Sequence, residues 1–145
     1  MRFMVIRKAD EETEAGVLPS QELLDAMGRY NEEMIKAGVM LSGDGLMASS
    51  KGAKVHFSGS GKTTVIDGPF AEAKELIAGY SIIEVDSLAD AIEWVKRWPV
   101  EDGRGNAEID ILRVAEIEDF GDAMTEENID HTQRLRELGD RNAKE

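Results

Sequence analysis

Apolar residues in this chain fall into short two-sided runs separated by two stretches of helical period. Arg2 to Lys8 carries Phe3, Met4, Val5 and Ile6 in succession and reads as a strand that is apolar on both alternating faces. Ala9 to Leu18 is an acidic loop containing Asp10, Glu11, Glu12 and Glu14. From Ser20, an N-cap that follows Pro19, the period changes. Leu23, Met27, Tyr30 and Met34 form one stripe of a helix that runs to about Ala37, widened by Leu24 and Ile35, and Gly38 stops it. Gly28 inside that helix costs about 1 kcal/mol relative to alanine, which predicts close backbone packing there. Val39 to Leu41 begins a second strand, followed by a glycine-bracketed bend, Gly43-Asp44-Gly45-Leu46. Ala53 to Ser58 and Thr63 to Ile66 pair as a hairpin across Gly59-Ser60-Gly61-Lys62.

The second half repeats the pattern. Tyr80 to Val85 is a strand with apolar residues on both faces. Ser87 and Asp90 open a helix with Leu88, Ala91, Ile92, Val95 and Trp98 inward, ended by Pro99. Glu101 to Ala107 is a glycine-rich loop. Glu108 to Val114 is a last strand, with Ile109 and Ile111 on one face and Leu112 and Val114 on the other. The order β-α-β-hairpin-β-α-β describes an α+β, ferredoxin-like unit over residues 1–115. In such a unit both helices cover the same side of the sheet. The other side, apolar in the first, middle and last strands, needs a cover, so a homodimer with sheet-on-sheet packing is expected. Residues 116–145 hold ten acidic and four basic residues. Thr125 to Leu138 there can form a helix with a sparse apolar edge (Ile129, Leu135, Leu138) that either packs on a partner subunit or stays mobile.

Between the two halves lies Asp67-Gly68-Pro69-Phe70-Ala71-Glu72-Ala73-Lys74-Glu75-Leu76-Ile77-Ala78-Gly79-Tyr80. Pro69 predicts a turn over Gly68 to Ala71, with the Asp67 carboxylate accepting from the N–H groups that follow. Phe70 is then thrown into the core or into a pocket. A helix of about two turns would place Glu72 and Glu75 on one face and end at Gly79.

Composition narrows the function classes. The 145 residues suffice for one domain, and a hydrophobic content of 41% suffices for a core. No cysteine is present, which removes disulfides, thiolate zinc sites and cysteine nucleophiles and suits a reducing cytoplasm. A formal net charge of −13 disfavours nucleic acid, and no apolar run approaches a membrane span. Gly61-Lys62-Thr63 resembles the end of a phosphate-binding loop, but His56 stands where that loop needs its first glycine and the following residues are β-like. His56 lies on the polar strand face with Lys54 and Ser58. With His131 isolated in the tail, no metal and no cofactor are expected.

The string DGPFAEAKELIAGY resembles the signature of the YCII-related, or DGPF-domain, family of small bacterial proteins. Met27-Gly28-Arg29-Tyr30-Asn31-Glu32-Glu33, Ala37-Gly38-Val39, Gly43-Asp44-Gly45-Leu46, Ala91-Ile92-Glu93-Trp94 and Glu118-Asp119-Phe120-Gly121 extend the likeness in order. The resemblance implies a ferredoxin-like fold that pairs into a dimeric α+β barrel, with related folds that include cofactor-free oxygenases and dehalogenase-like enzymes. Many relatives carry Glu at the position of Asp44 and His at the position of Met47; here the imidazole is absent, which weakens His-based acid–base chemistry.

Two function classes follow. In the first, a small-molecule enzyme of lyase, isomerase or hydrolase type uses Asp67, Glu72 or Glu75 as base or acid, with Lys74 tuning a carboxylate or holding an anion. Asn31, Asp44, Phe70 and Tyr80 line its cleft and bind ligand. In the second, the same surface is a non-catalytic ligand-binding or protein-interaction module, a reading supported by transcription-factor fusions among relatives. A purely structural clasp is the third reading of the motif.

Overall fold

Strand β1 (Arg2–Lys8) is one of the two inner strands of the main sheet. Its residues alternate between two environments: Phe3, Val5 and Arg7 are buried, while Met4, Ile6 and Lys8 are half-buried. The computed structural model describes residues 1–144 and divides into two compact units, Met1–Arg113 and the residues from Val114 on. In the first unit β1 is followed by α1 (Glu11–Glu14), α2 (Gln21–Lys36), β2 (Met40–Gly45), β3 (Ala53–Phe57), β4 (Thr63–Asp67), β5 (Ile77–Glu84), α3 (Leu88–Val95) and β6 (Ile109–Arg113). Four strands make an antiparallel sheet in the order β2-β5-β1-β6, and β3 and β4 form a separate two-stranded hairpin. The chain is thus α+β, with antiparallel sheets.

One face of the four-stranded sheet is sealed by helices. Phe3, Val5 and Ile83 pack there with Tyr30 and Met34 of α2, Ala91 of α3 and Val39. Phe3 and Ile83 are each 1% exposed, and burial of such side chains stabilises by about 1.5–3 kcal/mol apiece. The Tyr30 hydroxyl crosses the layer to donate to the Trp94 carbonyl at 2.6 Å, and its ring meets Trp98 edge-on at 5.8 Å. Burial pushes its hydroxyl pKa up to about 12.

Helix α2 begins and ends as its sequence predicts. Ser20 Oγ accepts from the Leu23 N–H, Lys36 is the last helical residue, and Gly38 takes a φ of 73°. Leu24 and Ile35 do not widen the inward stripe; they are 58% and 59% exposed, because Ala26 takes the buried place between Leu23 and Tyr30. Gly28 is not a packing position either: it is exposed, and a Cβ built on it meets nothing within 4 Å. Gly28→Ala should therefore stabilise the chain by about 0.5–1 kcal/mol, measured as a higher midpoint in urea at unchanged slope.

Other expectations are corrected. The acidic stretch after β1 contains the one-turn helix α1, capped by Asp10, which accepts from the Thr13 N–H while the Thr13 hydroxyl receives the Asp10 N–H. The Gly43–Leu46 bend is the continuation of β2, whose irregularity falls earlier, between Met40 and Ser42. Helix α3 places Ala91 inside, and Trp94 packs against the core, whereas Leu88 and Ile92 are exposed. In the second unit the helix predicted from Thr125 is present and longer, α4 (Glu126–Asn142), with Thr125 Oγ1 accepting from the Asn128 N–H. Among the described residues, no helix is long and apolar enough to cross a membrane.

Candidate functional site

The position of the Asp67–Tyr80 stretch is set by a series of side chains that begins at a buried cation. Arg7, 7% exposed on the helix-covered face of β1, donates through Nε and Nη2 to both oxygens of Asp102 at 3.0 and 2.8 Å. Nη2 also reaches Asp10 at 3.0 Å, and Trp98 Nε1 donates to Asp102 at 2.9 Å. Burial alone would raise the Asp102 pKa, but the bonds from Arg7 and Trp98 outweigh it and hold the carboxyl below its usual value. Asp10 behaves alike: burial raises its pKa, and the Thr13 N–H and Arg7 bring it down further. Gly103 and Arg104 take positive φ values of 57° and 55° beside this pair, and a Cβ on Gly103 would lie 3.2 Å from Arg7 Nη2.

Asp10 is shared between this network and the cap of α1, so the ion pair orients that helix. Glu14, at the end of α1, accepts from the Ser49 N–H at 2.9 Å and from Ser49 Oγ at 2.5 Å. Ser49 Oγ in turn accepts the Phe70 N–H at 2.9 Å. The Gly68 N–H donates to the Gly52 carbonyl at 3.0 Å, and the Gly68–Pro69 peptide is cis. Gly68 approaches the 49–50 backbone so closely that a Cβ would fall 1.7 Å from the Ser49 carbonyl oxygen. The N–H expected to turn back to Asp67 is thus taken by Ser49. Phe70 is neither in the core nor in a pocket; it is half-buried, with Lys54 Nζ 4.8 Å from its ring centre.

The expected two-turn helix is a single 3-10 turn, Ala73–Glu75. Extended pairing takes over at Ile77, opposite Lys8, and the Ala9 N–H donates to the Leu76 carbonyl at 2.9 Å. Gly79 is therefore a strand residue rather than a helix stop. Asp67, Glu72, Lys74 and Glu75 are all exposed and make no side-chain bond among the described residues. One chain gathers them along the loop but not around a cavity.

What the fold does bring together lies on the sheet face away from the helices. Cross-strand register aligns Asp44 of β2 with Tyr80 of β5, Tyr80 with Ile6 of β1, and Ile6 with Asp110 of β6. The next row on this face is Ser42, Ile82, Met4 and Leu112. Tyr80 Oη stands 3.4 Å from Asp44 Oδ2, and Lys8 Nζ stands 3.7 Å from Asp110. Leu112 is 59% exposed, and no residue of these two rows is buried. Asn31 is on α2, whose Tyr30 and Met34 pack on the opposite face, so the sheet separates it from Asp44 and Tyr80. Glu14, Ser49, Arg7 and Asp102 were not foreseen. The Asp10–Thr13 cap was the one local sign that the acidic loop was ordered.

Comparison with known proteins places these residues in a family. The model of the YCII-related domain matches residues 1–115, and the chain belongs to that family. An uncharacterized protein of Rhizobium meliloti is 28% identical over 76 residues, which is 52% of this chain and 60% of that protein's length. Among solved structures, 5-chloro-2-hydroxyhydroquinone dehydrochlorinase of Burkholderia phenoliruptrix AC1100, in complex with 2,5-dihydroxybenzoquinone, is similar with a TM-score of 0.42 at 14% identity. That likeness covers 80% of this chain and 95% of the other.

Proposed function

We propose that this member of the YCII-related family binds a small polar organic molecule on the open face of its sheet and acts on it by acid–base chemistry of lyase, isomerase or hydrolase type. The observation that carries this reading is the aligned row Asp44–Tyr80–Ile6–Asp110, in which ionisable groups stand beside an apolar row on a face that α2 and α3 leave uncovered. Strand order β2-β5-β1-β6 supports a ferredoxin-like unit, and two such units packing sheet to sheet would form a dimeric α+β barrel. A cleft then forms between the paired faces, with the loop of Asp67, Glu72, Lys74 and Glu75 at its mouth. Met4, Ile82 and Leu112 supply the apolar contact.

In this cleft Asp44 is the base. Tyr80 donates to it and fixes one carboxylate oxygen, leaving the other free to take a proton from bound substrate. Removal of water by the second sheet strengthens each charge–dipole contact at the reacting atoms. The loop carboxylates and Lys74 meet polar or anionic groups of the ligand. The second reading, a binding module without turnover, is favoured by one feature: Met47, at the position where the family resemblance implies His, is exposed and gives Asp44 no proton-transfer partner.

A metabolite screen by thermal shift, repeated on Asp44→Asn, Tyr80→Phe and Asp67→Asn, tests the placement. A ligand at about a hundred times its Kd stabilises wild type by about 2.7 kcal/mol. The first two variants should lose most of that shift, and Asp67→Asn a smaller part. Equal responses in wild type, Asp44→Asn and Tyr80→Phe would remove the open face from the site. Product detected by mass spectrometry separates enzyme from binding module.

A further inference from the structure

The hairpin β3–β4 is built unlike the rest of the chain. All ten of its strand residues are exposed. Its register places Val55 opposite Val65 and Phe57 opposite Thr63, so Val55, Phe57 and Val65 share one face, at 50%, 75% and 64% exposure. Lys54 and His56 lie on the other face, where Lys54 is engaged with Phe70. A two-stranded hairpin alone is marginal in water, and this one leaves an apolar face and two strand edges unpaired. Its charge is also opposite to the body's. Residues 46–66 contain Lys51, Lys54 and Lys62 and no acidic residue, in a chain of net charge −13.

At the far end of β5 is a groove of about 530 Å³ that matches this arm in chemistry. Its walls are the residues just after α2 (Ala37–Val39), Glu84 to Asp86, and Asp90, Glu93 and Trp94 of α3. Lys96 and Arg97 also line it, but Lys96 is paired with Glu93 at 2.9 Å, and Arg97 is paired with Glu33 and lies over the Trp94 ring. Asp86 and Asp90 have no ion pair among the described residues, and the negative end of the α2 dipole adds to their charge.

We infer that the β3–β4 hairpin is a docking arm for a second copy of this chain: Phe57 and Lys62 near its tip seat in the Asp86–Asp90–Trp94 groove of the other copy. Charge complementarity selects this occupant. A hairpin from the same kind of chain brings lysines and an aromatic ring to an acidic, Trp-walled groove, whereas two hairpins would repel. Reciprocal docking closes as a two-fold dimer. The arm adds a contact to the sheet pairing proposed above and does not depend on the chemistry proposed for the open face.

The absence of cysteine makes the test direct. Purified Phe57→Cys and Asp90→Cys proteins are mixed and oxidised with copper-phenanthroline. Cross-linked heterodimer should exceed that from Phe57→Cys mixed with Glu22→Cys by about tenfold, since docking raises the effective thiol concentration. The excess should fall in 1 M NaCl, where the Debye length is about 3 Å. A yield no greater than the Glu22→Cys control overturns the docking arm. Leu112→Cys, oxidised alone, reports the sheet-to-sheet contact separately. A Leu112 cross-link without the Phe57–Asp90 one rejects the arm and keeps the paired sheets, and the reverse result keeps the arm and rejects the paired sheets. Wild type that sediments with vesicles of anionic phospholipid, with no Phe57–Asp90 cross-link, assigns the hairpin to a membrane surface and overturns the proposal.

Discussion

Asp102→Ala is expected to destabilise the chain by about 3–5 kcal/mol, the usual cost of removing one partner of a buried ion pair. Arg7 would stay buried with Asp10 as its one remaining carboxylate partner, and Trp98 Nε1 would lose its acceptor. Urea denaturation at neutral pH measures the loss. Glu12→Ala, which removes only the exposed Arg104 pair, should cost less than about 1 kcal/mol. The pH dependence carries the same information. The folded-state pKa of Asp102 is depressed, so its contribution is fully present above the unfolded value near 3.8 and is lost as pH falls through the lower folded value. Asp10 acts in the same direction. Wild type should therefore lose stability below about pH 4, and Asp102→Ala should lose less over that range. Parallel acid profiles for the two proteins would mean that the pair does not hold the fold. Because Asp10 also caps α1, the variant should in addition loosen the Glu14–Ser49 anchor of the Asp67–Tyr80 loop.

The second large effect is expected at Gly68. Its built Cβ lies 1.7 Å from the oxygen and 2.5 Å from the carbon of the Ser49 carbonyl, and backbone cannot yield by changing a rotamer. Gly68→Ala should detach the loop from residues 49–52, breaking the bonds to Ser49 Oγ and the Gly52 carbonyl. Amide hydrogen exchange should show loss of protection at Phe70, with global stability lower by about 1–3 kcal/mol, as for overpacking elsewhere. Unchanged protection at Phe70 would contradict the anchoring. Two Gly→Ala changes thus have opposite signs: Gly28 faces open space and gains, while Gly68 faces a carbonyl and loses.

How far the structure could be read from sequence depended on the range of the interactions. Helix α2 was legible because its cap, its stripe and its stop are local, all within residues 20–38. Strand β1 was legible because its alternating faces are both apolar. The segment after Phe70 was misread because alanine, glutamate and leucine favour a helix, and pairing with β1 overrode that preference. Arg7 looked like the polar end of a strand. Its partner Asp102 is 95 residues away, and nothing near either residue announces the pair. Ser49 and Glu14, 35 residues apart, were silent for the same reason. Of the candidate site, Asp44 and Tyr80 were named separately, but their alignment with Ile6 and Asp110 follows only from register, which no single strand encodes.

The proposed cover of the open sheet face is a second chain, with the site between the two. Sedimentation equilibrium of wild type and Ile82→Asp at micromolar concentration tests it most directly. Wild type is expected to sediment at twice the 16.0 kDa chain mass, and Ile82→Asp, with a charge in the apolar row, as a folded single chain. Wild type at 16.0 kDa, with Met4, Ile82 and Leu112 facing water, would contradict it.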